Sequence, residues 1–119
     1  GVEHGSDTLS AGKLMRLNTS GVWRYADADG SSGNDELLAI ALGDTVAKGL
    51  LIRGFFDQVA ELTSGVFTKG LACYVSNTAG QITFTQPNTS GDYVRVVGYG
   101  TDTANVIYFN PDGTYITVA

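Results

Sequence analysis

The chain has 119 residues, 43% of them apolar, with a formal net charge of −5, sixteen glycines, two prolines and one cysteine. That length fits one domain with a modest core, and that apolar fraction does not fit a disordered chain. The seven Lys and Arg are scattered, so no basic cluster can displace counterions from nucleic-acid phosphates, and no apolar run approaches the ~20 residues of a membrane-spanning helix.

Sixteen glycines with only two prolines, abundant Thr and Tyr, and short apolar runs between turn signals predict an all-β fold. Residues 1–11 read as an arm or linker stub and 12–119 as a single β domain; a start at Gly-Val without Met reads as a trimmed fragment, a processed product or a domain cut from a longer chain. His4, the only histidine, lies in the arm with no second metal ligand or orienting partner near it in sequence.

Residues 13–17 and 22–26 flank Asn18-Thr-Ser-Gly21, a hairpin whose glycine supplies positive φ. Trp23 and Tyr25 fall on one strand face, as a half-buried aromatic pair or a sugar-stacking platform. The segment 27–36 is the acidic cluster and invites a calcium reading. Its glycine comes at the fourth position and its glutamate at the tenth, which misses the spacing of a helix-loop-helix calcium loop, so it reads as a solvated loop.

The central stretch joins two apolar runs, 37–42 and 50–56, by a loop bounded by Gly43 and Gly49. The first run is apolar at every position, which predicts a strand covered on both faces and paired with the second run as a hairpin. A helix capped by Asn34-Asp-Glu36 is the rival, weakened by the two glycines. Residues 57–67 read as a helical turn or an irregular edge strand. Residues 69–76 and 81–85 flank Asn77-Thr-Ala-Gly80 as a further hairpin, with Cys73 inside it as a small buried hydrophobe. Residues 94–99 and 106–109 repeat the central hairpin, Asn110-Pro-Asp-Gly113 reads as a tight turn with left-handed glycine, and 115–118 closes the chain as a strand.

Segments 12–56 and 70–110 share one layout, hairpin, polar loop, hairpin, and align with one inserted residue. Two such units, neither able to cover its apolar face alone, predict a small β-barrel or β-sandwich with a common core. Catalytic signatures are missing. There is no nucleophile elbow or phosphate-cradling loop, and Gly98-Tyr-Gly100 is too short for a dinucleotide site. Asp57 with Glu61 and Asp92 with Asp102 are the carboxylate pairs a glycosidase would need. Asn18-Thr-Ser20 and Asn88-Thr-Ser90 match the glycosylation pattern and serve equally well as turns.

The run 94–118, preceded by 70–83, resembles the carboxy-terminal domain of fibre-like and other structural proteins of tailed bacteriophages, many of them marine, and 38–55 fits the middle of that pattern, so the likeness covers 12–119. The half-repeat bears a looser resemblance to phage capsid decoration proteins. The resemblance implies a non-enzymatic virion component, commonly a homotrimer, with no catalytic residues and no cofactor. Its expected partners are further copies, other virion proteins or a host surface receptor. The loops 27–34 and 100–105 are the expected contacts, through Asp27, Asp29, Asn34, Asp102 and Asn105, with Trp23 and Tyr99 as aromatic anchors. A capsid decoration protein and a carbohydrate-binding module are the alternatives.

Overall fold

A computed structural model describes residues 9–29, 32–57, 63–64 and 67–119. Among them run the strands β1 (Leu14–Leu17), β2 (Trp23–Tyr25), β3 (Leu38–Ala41), β4 (Leu50–Leu51), β5 (Gly54–Phe56) and β6 (Thr63–Ser64). They are followed by β7 (Ala72–Val75), β8 (Ile82–Thr83), β9 (Tyr93–Val94), β10 (Val96–Gly100), β11 (Ile107–Phe109) and β12 (Ile116–Thr117). Among the described residues the helical content is a single 3-10 turn, Val46–Lys48, and no helix there is long and apolar enough to cross a membrane. His4 and most of 57–67 lie outside the described residues.

The polar tetrads make the hairpins expected of them. Gly21 and Gly80 take φ of +78° and +79°, the left-handed region open to glycine at little cost. In the first loop the Asn18 Oδ1 accepts from the Ser20 N–H at 3.0 Å, and Asn18 N–H closes onto the Val22 carbonyl. In the second, Ser76 does both jobs one residue earlier. Its Oγ accepts from Thr78 N–H at 2.9 Å, and its N–H closes onto the Gln81 carbonyl. That is the inserted residue of the sequence alignment.

The halves share their connectivity. One sheet has the order β2-β1-β3-β4, and the larger sheet contains β8-β7-β10-β11 with β5 and β6 added outside. Every pairing within each four-strand set is antiparallel, so the two units are alike in order and sense. Both contribute to one core. Leu14, Leu38 and Ile40 pack with Phe56, Cys73, Val75, Ile82, Ile107 and Phe109. Each such burial stabilises by about 1.5–3 kcal/mol before the loss of chain entropy is counted.

Within the run 37–42, Leu38–Ala41 form a strand covered on both faces, while Leu37 and Leu42 at its ends are exposed. Leu38 and Ile40 enter the shared core, while Ala41 joins Leu9 and Met15 in a second cluster, on which Trp23, Tyr25, Val46 and Leu50 pack. Leu9 is only 1% exposed, so the end of the expected arm is packed against the domain.

Two expectations need correction. Residues 50–56 are not one strand of one hairpin. β4 pairs with β3, the chain turns at Ile52 and Arg53, and Gly54 at φ +134° delivers β5 to the other sheet beside β11. Nor is Asn110-Pro-Asp-Gly113 a tight turn. Asn110 N–H and Asp112 N–H bond the Val97 and Val96 carbonyls at 2.8 Å each, so the segment continues alongside β10, and Gly113 is not left-handed. The two sheets do not close into a ring. The β4–β5 passage links them on one side, and backbone bonds from Gly80 N–H to the Ala26 carbonyl and from Ala28 N–H to the Ser76 carbonyl link them on the other.

Candidate functional site

The residues singled out from sequence fall in three places. Trp23 is half-buried over Met15 and Leu9 on the second cluster, beside Tyr25, whose ring has the Lys13 Nζ 5.4 Å from its centroid. The pair thus shares one face, and that face covers apolar side chains.

Asp27 and Asp29 sit near Asp92, just before β9, and Asn34 is half-buried further along the same loop. Asp27 pairs with Ser32 and Asp29 with Asp92 as isolated bridges, and the Asp27 carboxylate accepts from the Asp29 N–H at 2.9 Å. Asp92 is 2% exposed and accepts from the Asn77 side-chain amide. Among the described residues no group of three or more His, Cys, Asp or Glu is arranged to hold a metal.

This loop is not merely solvated. The Tyr93 hydroxyl donates to the Ser32 carbonyl at 2.6 Å, and Arg95 donates through Nη1 to the carbonyls of Gly33 (2.8 Å) and Glu36 (2.7 Å). Glu36 in turn accepts from Gly33 N–H and forms an ion pair with Arg16 at 3.1 Å. The second half of the chain therefore holds the loop of the first. Sequence reasoning missed Tyr93 and Arg95 because Arg95 reads as an ordinary strand residue and Tyr93 as the residue just before that strand, and their partners lie 59–62 positions away.

Burial, with repulsion from Asp29 and Asp92 added, raises the Asp27 carboxyl above its ordinary value of 3.8 despite the Asp29 N–H bond. A raised acid binds its proton more tightly in the folded state, so its contribution to stability falls as pH climbs from 3.8 through the folded value. Asp27→Asn keeps an oxygen for the Asp29 N–H and removes the repulsion. Urea melts are expected to show it more stable than the parent by up to about 0.5 kcal/mol at neutral pH, with the difference vanishing in acid.

Tyr99, Asp102 and Asn105 occupy the β10–β11 hairpin. Asn105 takes the left-handed φ of +64°, and Thr101 closes the tip through its N–H and Oγ to the Val106 carbonyl. Asp102 is exposed there, whereas Asp92 is buried at the other end of the β9–β10 run, so these two do not form a carboxylate pair. Glu61 lies outside the described residues. Burial pushes the Cys73 thiol up to about 12, leaving it neutral and unreactive. Asn18 spends its side-chain oxygen on its own turn, whereas Asn88 is exposed beside a polar hollow lined by Ser76, Thr83 and Gln86.

What the fold does assemble is a face around Tyr99. A register shift between Val96 and Gly98 turns Val97 and Gly98 inward together, leaving Tyr99 outward and 50% exposed. Tyr99 stands opposite Tyr108, and Tyr108 opposite Phe55, making a row across β10, β11 and β5. The Phe55 and Tyr108 rings lie 5.3 Å apart at 55°, and Phe55 is 70% exposed. Tyr99 also lines a hollow of about 300 Å³ with Val96, Asp112 and Gly113, floored by Asn110 and Pro111. Those same two residues line a second cavity of about 200 Å³ with Leu37, Leu38, Ile52, Arg53 and Arg95. Leu37 and Ile52 are 49% and 44% exposed. One continuous surface thus joins Phe55, Tyr108, Tyr99, Pro111, Ile52 and Leu37. The adjacent pair Phe55-Phe56 was the available signal, since in a strand one ring of such a pair must face out. Comparison with known protein families, curated proteins and solved structures finds no match.

Proposed function

We propose that this chain is a non-enzymatic structural module of a phage particle, a fibre or spike terminal domain that assembles as a homotrimer and meets its partners through the Phe55–Tyr99 face. The observation that carries this reading is the apolar surface running from Phe55 to Leu37. Exposed large side chains gathered on one face mark contact surfaces, and Phe and Tyr anchor such contacts with little entropy to lose. The resemblance to phage fibre domains supplies the particle and the threefold arrangement. In a threefold ring each copy meets the next through two different patches, so this face would meet another surface of its neighbour.

Light scattering on the purified chain tests the reading. A trimer that Phe55→Ser together with Tyr99→Ser converts to a folded monomer is the expected result. A strict monomer across the accessible concentration range, or a trimer indifferent to both changes, counts against it. Both side chains are at least half exposed, so each substitution alone is expected to move stability by no more than about 0.5 kcal/mol.

A further inference from the structure

The cavity between β3 and the 110–113 segment combines apolar walls with unspent guanidinium donors. Leu37, Leu38, Ile52 and Pro111 line it together with Arg53 and Arg95. Arg95 is 6% exposed, and three of its five N–H groups are committed: Nη1 donates to the Gly33 and Glu36 carbonyls and Nε to the Asp112 carbonyl at 2.7 Å. Nη2 bonds none of the described residues, and Arg95 is one of the residues that line the cavity. Arg53 stands exposed at the same opening, with no ion pair among the described residues. Two of the seven basic residues of a chain with net charge −5 therefore meet at one apolar hollow.

From this we infer that the cavity receives an acidic side chain flanked by an apolar residue, presented by a partner polypeptide. The two Nη2 hydrogens of Arg95, on a guanidinium held in place by three bonds to backbone, are the donors left for a carboxylate, the acceptor that best fits a guanidinium edge. The fixed side chain has already lost its rotamer freedom, so little entropy opposes capture. At about 200 Å³ the cavity falls below the ~300–1,000 Å³ of small-molecule sites, which suits an anchoring side chain more than a free cofactor. Apolar walls and the net negative charge of the chain disfavour a nucleic-acid phosphate. This inference rests on reading the face as a contact surface, and adds the chemistry of what docks there.

The test is a titration of the isotopically labelled full chain by heteronuclear NMR with the capped dipeptide acetyl-Leu-Glu-amide, its neutral twin acetyl-Leu-Gln-amide, and inorganic phosphate. The acid is expected to shift the amides of Ile52, Arg53 and Asn110 in a saturable way and to bind about tenfold more tightly than the twin. Arg53→Gln, at the exposed rim, is expected to weaken it about threefold without unfolding the chain. Equal binding of acid and twin, displacement of the acid by phosphate at matched concentration, shifts centred elsewhere, or no shifts at all would each overturn the inference. A monomeric chain that still binds the acid selectively would instead refute the trimer and leave this site standing.

Discussion

Gly98→Ala is expected to cost about 3 kcal/mol or more, a large share of the ~5–15 kcal/mol that keeps a domain folded, and Gly113→Ala to cost nothing measurable. At Gly98 an added Cβ would overlap the Tyr108 carbonyl oxygen and crowd the Phe109 Cα, all backbone of the paired strand β11. Backbone in a ladder cannot step aside as the end of a flexible side chain can. Relief requires separating β10 from β11 in the middle of the larger sheet, and with it the seating of Ile107 and Phe109 in the core. Gly100 is under the same constraint from the Thr68 carbonyl. The Gly98-Tyr-Gly100 pattern, too short to be a nucleotide loop, thus answers to close strand packing. Gly113 has nothing within 4 Å of its would-be Cβ and no left-handed backbone, so alanine there only trims the freedom of the unfolded chain. Chemical denaturation of the two variants side by side checks the pair. Similar midpoints would show that the approach of β10 to β11 is not the constraint.

The features legible in sequence were those set by local chemistry. Asn18 and Ser76 can bond the backbone two residues on, and a glycine follows each at the left-handed position, so both hairpins were readable from short tetrads. The unbroken apolarity of 37–42 announced the covered strand Leu38–Ala41, though its end residues Leu37 and Leu42 stay exposed, and the recurrence of the layout announced a second, like-built unit. The departures come from contacts distant in the chain. Arg53-Gly54 was read inside one strand because nothing local says that the chain will leave one sheet for the other there. Pro111 and Gly113 carry the composition of a turn, yet the ladder with Val96 and Val97 outweighs it, since two backbone bonds in a packed sheet are worth more than a turn preference. The face around Tyr99 was half visible. Tyr99 was singled out, but its neighbours Phe55 and Tyr108 arrive through the β10–β11 and β11–β5 registers, which join segments distant in the chain, and no residue type announces the bulge against β7 at Val97.

Arg95 shows how far such a long-range contact reaches, and its replacement is the second large effect expected. Arg95→Met keeps the bulk and the apolar stem but removes the guanidinium, stranding the carbonyls of Gly33, Glu36 and Asp112. Each bond from a charged donor is worth about 1.5–3 kcal/mol against an unsatisfied acceptor, and partial access of water to the 110–113 segment returns some of that, so a loss of about 3–5 kcal/mol is expected. The damage should be local first. The segment 32–36 is held by Arg95 and by the Tyr93 hydroxyl, and Gly33 is confined at φ +98° with Tyr93 Oη, Ala26 and Leu38 all 3.0–3.1 Å from where a Cβ would stand. Hydrogen exchange at Gly33 and Asp112 should therefore accelerate before the core amides of Ile40 and Val75 respond. Tyr93→Phe removes the other tether, and because both hold one short loop the double variant should lose less than the two single losses combined. Strict additivity would mean that the two tethers hold the loop independently of one another, and an Arg95→Met protein as stable as the parent would mean that Arg95 does not hold it.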